Sequence, residues 1–230
     1  MRNIFIACDT SNIQIAKKII NHSQVKLKGY QIGYKFGLEF FYSKNGRKFI
    51  EKLKIKNLWL DIKTFDIPNT SSAVIKSLKD LKNISYITVH VSGGSQMLRA
   101  IKKAAKKYNK RLKILGVTVL TSFTNSTIKK VGHTKSIKDL VRKQALLAKN
   151  TKMDGIVCSA HELKFVKKIC KSMEIITPGI RLKGQELNDQ KRVMSPKEAF
   201  KNGATSIVMG RSLIKGNIKN NIQKLIKSLN

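Results

Sequence analysis

Short, almost continuously apolar runs recur along the chain, and amphipathic stretches fill the gaps between them. The runs predict strands at Ile4–Asp9, Ile32–Gly37, Leu58–Lys63, Tyr86–Val91, Lys113–Val119, Asp154–Cys158, Glu174–Thr177 and Ser206–Gly210. In stretches such as NIQIAKKIINHS, GRKFIEKLKI and SPKEAFKNGA the apolar residues fall at i, i+3 and i+4, the period of a helix with one buried face. Asn12, Ser43, Ser136 and Ser195 stand where helix N-caps are expected, and Pro196 occupies a first helical position.

Eight strand–helix units in 230 residues predict an α/β protein, a closed parallel (β/α)8 TIM barrel in one domain over residues 1–230. Strands apolar on both faces fit burial between helices and a barrel interior. A doubly wound open sheet is the alternative that the pattern alone leaves open. No stretch rich in Pro, Gly or Ser divides the chain. The gap before Asp154 is longer than the others and holds TSFTNSTIKKVGHTKS, a candidate active-site loop.

Chemistry in such a barrel sits at the C-terminal ends of the strands. Those ends carry Asp9, Lys35, Asp61 with Lys63, His90, Thr118 to Ser122, Ser159, Arg181 and Gly210-Arg211. The densest cluster is LWLDIKTFDIPNT. Asp61 and Lys63 are two apart on a strand, so both point to one face. Unpaired charges there would be costly, and a mutual ion pair is expected. Asp66 follows in the loop and Pro68 ends the strand geometry. Read alone, DxKxxD also fits a purely structural network at a strand end.

Composition changes this picture less than it first promises. The formal net charge is +34, from 47 Lys plus Arg against 13 Asp plus Glu. Such an excess invites a nucleic-acid reading, because clustered cations release counterions when they neutralise phosphates. Of the 47 bases only 8 are Arg, the residue favoured for reading base edges. A drift toward residues with A/T-rich codons explains the lysines as solvated surface. No zinc finger, helix-turn-helix or aromatic RNA-binding signature is present, so no specific nucleic-acid partner is expected. Cys8, Cys158 and Cys170 are widely separated and lack metal-ligand spacing, which fits a reducing compartment. No run approaches a membrane span, and a soluble cytoplasmic protein is predicted.

The motifs then meet a family. YKFGLEFF, DIKTFDIPNT, VHVSGG, GVTVLTS, GIVCSAHE, TPGIR…DQKR and VMGRS, kept in this order from Asp9 to about Gly216, resemble orotidine 5′-phosphate decarboxylase. DxKxxD is shared with sugar-phosphate enzymes of the same barrel superfamily, whereas DIPNT with TVLTS and the PGIR…DQKR…GR tail is more specific. The resemblance implies a (β/α)8 homodimer with active sites shared between subunits, acting on the small molecule orotidine 5′-phosphate without cofactor or metal. It implies that Lys35, Asp61 and Lys63 form a charged array, with Asp66, Ile67 and Thr70 reaching into the neighbouring subunit's site. Lys63 would stabilise and protonate the C6 carbanion left by departing CO2. By the same resemblance Asp9 binds a ribose hydroxyl and Thr121 contacts the pyrimidine. Gln190, Gly210 and Arg211 grip the phosphate, and Arg181 matches a position grouped with them. The polar stretch GIRLKGQELNDQKR is expected to act as a lid. One departure is Cys8 before Asp9, where the family usually has an aliphatic residue; no functional change is expected.

The other candidates receive plainer readings. His90 is expected to line the barrel mouth as a hydrogen-bonded residue, and Cys158 to be a buried small apolar residue. KKAAKKYNKRLK reads as a solvated helix face. The runner-up function is a magnesium-dependent sugar-phosphate aldolase or decarboxylase of the same superfamily.

Overall fold

Eight parallel strands close into a barrel in sequence order, and the first pairs with the last. The structure is a computed structural model and describes residues 1–182 and 194–229. The strands are β1 (Arg2–Ala7), β2 (Tyr30–Gly37), β3 (Leu58–Thr64), β4 (Ile84–His90), β5 (Lys113–Val117), β6 (Gly155–Val157), β7 (Glu174–Thr177) and β8 (Ser206–Met209). Each predicted strand is present. The closed order, with β1 hydrogen-bonded to both β2 and β8, excludes the open sheet.

The helices between them are α1 (Ile13–Ser23), α2 (Leu38–Phe41), α3 (Gly46–Lys52), α4 (Pro68–Ser77), α5 (Gly94–Tyr108), α6 (Asn125–Lys130), α7 (Ile137–Asn150), α8 (Leu163–Ile169), α9 (Pro196–Lys201), α10 (Arg211–Ile214) and α11 (Ile218–Leu229). The buried positions of α5 are Met97, Leu98, Ile101, Ala104 and Ala105, the spacing of a single apolar stripe. Lys103, Lys106 and Lys107 lie exposed around the other side, the solvated basic face expected from the sequence, and exposed Lys110 follows in the turn after the helix. The long connection before β6 holds α6 and α7.

Three of the four expected caps form. Asn12 Oδ1 accepts from the amides of Gln14 and Ile15, at 2.8 and 3.2 Å. Ser136 accepts from Asp139 N, and Ser195 forms a capping box with Glu198 ahead of Pro196. Ser43 does not cap a helix. Its hydroxyl instead donates to Phe40 O at 2.7 Å, closing the end of the short helix α2. The next helix starts later, at Gly46, where a Cβ would come within 1.7 Å of Phe40 O. Only glycine permits that approach.

Two apolar layers result. Ile4, Ile6, Ile87, Ile156 and Ile207 face outward and pack with helical residues such as Ile19, Leu98 and Val141. Phe5, Trp59, Tyr86, Leu115, Val157, Ile176 and Val208 fill the barrel interior. Phe5 meets Trp59 and Tyr86 edge-on, with ring centroids 5.0 and 5.3 Å apart. Gly33 makes room for this stack, since a Cβ there would lie 2.7 Å from the Phe5 ring. The aromatic layer plugs the barrel, so the polar residues one step further along each strand form the floor and wall of a cup open at the C-terminal end. Among the described residues no helix is long and apolar enough to cross a membrane.

Candidate active site

The strand phase that buries Phe5, Trp59 and Tyr86 also brings the next inward residues together. Lys35 follows Gly33 on β2, Asp61 follows Trp59 on β3, and Thr88 follows Tyr86 on β4. Asp9 stands just beyond β1. Four charges then alternate in a row. Asp9 Oδ1 lies 3.1 Å from Lys35 Nζ, and Lys35 Nζ lies 3.2 Å from Asp61 Oδ2. That same Asp61 oxygen lies 3.0 Å from Lys63 Nζ. The expected Asp61–Lys63 pair is present, and Asp61 is shared between two ammonium groups.

Burial by itself would raise the Asp61 carboxyl. Lys35 and Lys63, with a hydrogen bond from Thr88, outweigh that and hold it below its ordinary value of 3.8. Burial would likewise lower the Lys35 ammonium, but Asp61 and Asp9 keep it above 10.5. Both groups are therefore charged across the physiological range.

The array forms one side of a cavity of about 240 Å³. Asp9, Lys35, Asp61, Lys63, Thr121, Arg181, Gly210 and Arg211 all line it. The apolar side is built by Trp59, Val117, Leu120, Val157 and Val208. The chamber is thus charged on one flank, basic at one end and greasy elsewhere, which suits a flat ring carrying an anionic tail. Arg181 is buried, and its backbone amide donates to Met194 O at 3.1 Å, bracing the strand end. Gln190 and most of the GIRLKGQELNDQKR segment lie outside the described residues.

Asp66, Ile67 and Thr70 do not reach this cavity in their own chain. Asp66 is exposed and accepts from the Ile67 amide at 2.7 Å. Among the described residues no lysine or arginine of the same chain pairs with it. Asp66 and Thr70 line a second, more open cleft of about 460 Å³ together with Tyr42 and Phe65. Lys63 lines both clefts and marks the place where they meet.

His90 is not part of the cavity wall. Its ring lies 5.8 Å from that of Phe65, and burial together with the Lys63 charge holds its pKa below 6.5. Cys158 does line the cavity, but burial raises its thiol well above 9.0, consistent with an inert apolar wall. Burial and the neighbouring Asp9 push Cys8 up to about 12. Among the described residues no three His, Cys, Asp or Glu side chains gather as a metal ion would need.

Two residues of the site escape sequence reasoning. Trp59, the only tryptophan, lies in the cavity wall. Thr88 is fully buried, donates to Asp61 Oδ1 at 2.8 Å and accepts from Lys63 N at 3.1 Å. Its signal was the inward phase it shares with Tyr86.

Comparisons with known proteins show relatives in both sequence and fold. The model of the Orotidine 5′-phosphate decarboxylase / HUMPS family matches residues 2–223. Orotidine 5′-phosphate decarboxylase of Carboxydothermus hydrogenoformans is 40% identical over 221 residues, 92% of this chain and 88% of that protein. A crystal structure of orotidine 5′-phosphate decarboxylase from Lactobacillus acidophilus superposes with a TM-score of 0.83 at 30% identity, covering all of both chains. The orotidine 5′-monophosphate decarboxylase of Methanocaldococcus jannaschii, in complex with the inhibitor BMP, superposes with a TM-score of 0.76 at 26% identity over 100% of this chain and 99% of that one. With the family model matched over residues 2–223 and relatives similar in sequence and fold over nearly the whole chain, the chain belongs to the orotidine 5′-phosphate decarboxylase / HUMPS family.

Proposed function

We propose that this family member converts orotidine 5′-phosphate to uridine 5′-phosphate and CO2, as a cofactor-free homodimer in the de novo synthesis of pyrimidine nucleotides. The observation that carries the reading is Asp61 held between Lys35 and Lys63, at 3.2 and 3.0 Å, in the mouth of the barrel. One domain carries the whole site except for what a second copy contributes.

The chemistry follows from the charges. The bond from C6 to the carboxylate breaks, CO2 leaves, and the electron pair stays on C6. No electron sink in the ring takes it up. An ammonium placed where CO2 departs stabilises that pair and then gives it a proton, and Lys63 is suited to both tasks. Solvent returns the proton to the lysine. The fixed neighbours mean that little reorganisation is needed as charge develops.

The rest of the cavity positions the substrate. Asp9 takes a ribose hydroxyl, and Thr121 takes the pyrimidine edge. Arg181, Gly210 and Arg211, with Gln190, hold the phosphate. Binding energy gathered there, far from the breaking bond, contributes to the barrier by ordering the site around the ring.

The second copy supplies Asp66, Ile67 and Thr70. Tyr42, Phe65 and Ile67 are each more than half exposed beside the cleft that Lys63 and Asp66 line. A cluster of large apolar side chains on that rim is what a self-association face requires. The partner's Asp66 would then meet Lys63 from the side opposite Asp61, completing the alternation of charges.

The test is direct. Purified protein mixed with orotidine 5′-phosphate should produce the change in pyrimidine ultraviolet absorbance that accompanies loss of the carboxylate. A folded dimer that leaves the absorbance unchanged would sink the reading.

A further inference from the structure

Thr88 faces inward on β4 yet contributes no wall to the cavity. Its importance lies in a break in strand pairing. Leu60 pairs with Ile87 and Thr64 pairs with Val89, so Asp61, Ile62 and Lys63 stand opposite the single residue Thr88. Such an excursion interrupts the ladder and leaves backbone groups seeking partners. Within it Lys63 adopts φ +47°, the left-handed region that is unfavourable for a residue with a Cβ. One hydroxyl takes up a loose backbone end and a side chain together, accepting from the Lys63 amide and donating to the Asp61 carboxylate at Oδ1.

We infer that Thr88 is a positioning residue for the reaction, tying the strained Lys63 backbone and the Asp61 carboxylate into one unit before substrate arrives. The inference rests on the reading of Lys63 as proton donor. Its logic is geometric. A hydroxyl both accepts and donates, which Val, of the same shape, cannot do. Ser can, although it lacks the methyl that stiffens the rotamer. Asp61 faces Lys35 from β2, Lys63 from its own strand and, from β4, both Thr88 and His90, while Asp9 bears on Lys35. The Thr88 donor is the one neutral group among these that favours the ionised carboxylate.

Steady-state kinetics on Thr88→Val and Thr88→Ser, across pH, test this. Thr88→Val should lower kcat by about ten- to a hundredfold, the effect of one hydrogen bond to a charged group, with KM moving by less than about threefold. The acid limb of its kcat profile should shift to higher pH, and Thr88→Ser should restore most of both. Uridine 5′-phosphate binding, read from Trp59 fluorescence, should match the wild type, because Thr88 does not touch the cavity. If Thr88→Val fails to bind the nucleotide, Thr88→Ala, which adds no bulk, carries the same expectation. A wild-type kcat and acid limb in the hydroxyl-free variant would overturn the inference. So would a Thr88→Ser enzyme as slow as Thr88→Val. Absence of turnover in the wild type would instead overturn the reading of the reaction, and the inference with it.

Discussion

Lys35 Nζ stands 3.2 Å from Asp61 Oδ2, and the two side chains are only 11% and 9% exposed. A buried pair of this kind is weak evidence of stability by itself, since desolvation offsets much of the attraction. Its consequence lies in what happens when one member is removed. Asp61 also neutralises Lys63, so its loss would leave Lys63 without its counter-charge in this chain and Lys35 with Asp9 alone.

Asp61→Asn is therefore expected to act on both links at once. Stability should fall by about 3 kcal/mol, the lower end of what breaking a buried pair costs. Turnover should fall by roughly 10²-fold or more, as one preorganised charge leaves the site. Urea unfolding and initial rates on orotidine 5′-phosphate measure the two separately. A variant as stable and as fast as the wild type would contradict the array.

Protonation of the same pair sets the outer pH limits. The Asp61 pKa is lowered in the fold, so its contribution is present above its ordinary 3.8 and is lost as pH falls through the lower, folded value. The Lys35 pKa is raised, so its contribution is present below 10.5 and is lost as pH rises through the higher, folded value. Between those limits a different group dominates. His90 is depressed below 6.5, so the unfolded chain takes up its proton first and stability declines as pH falls from above 6.5. Urea midpoints measured between pH 7.5 and 5.5 should decline less steeply in His90→Gln than in the wild type. Equal slopes would contradict a neutral, half-buried His90.

The proposed sharing of sites between subunits has its own signature. Lys63→Ala and Asp66→Ala should each be nearly inactive alone. In a random mixture of the two, half the dimers are mixed, and each has one intact site. About a quarter of wild-type activity should return for a two-fold symmetric dimer. If Asp66 served the site of its own chain, no activity would return.

Phosphate binding is separable from chemistry. Arg211→Ala should weaken uridine 5′-phosphate binding by about ten- to a hundredfold, the usual effect of removing a charge-assisted hydrogen bond. Trp59 in the cavity wall provides the signal. Unchanged affinity would move the phosphate away from the end of β8.

Much of this was visible in the chain because barrels write their geometry into alternation. Asp61 and Lys63 announce a shared face, and the apolar runs place Asp9, Lys35 and Arg211 at strand ends where the structure brings them together. The pattern could not show that β3 carries two more residues than β4 between the pairs Leu60–Ile87 and Thr64–Val89, because register is set by pairing rather than by local sequence. Thr88, a β-branched residue within an apolar run, consequently carries no distinguishing mark in the sequence. Ser43 misled for a related reason: a serine ahead of an amphipathic run can cap the following helix or close the preceding one, and the tight contact between Gly46 and Phe40 decides between them. Asp66 is intermediate. Its motif makes it a candidate functional residue, while its placement outside the cavity of its own chain follows only from the loop's geometry.

The central claim is that the Lys63 ammonium stabilises and protonates C6, and the most direct measurement is turnover of orotidine 5′-phosphate by Lys63→Ala. Uridine 5′-phosphate binding in the same preparation establishes that the cavity is intact. The expected result is retained nucleotide binding with kcat reduced by roughly 10⁴-fold or more, the combined loss of proton donor and charge. Near-normal turnover by that variant would contradict the assignment.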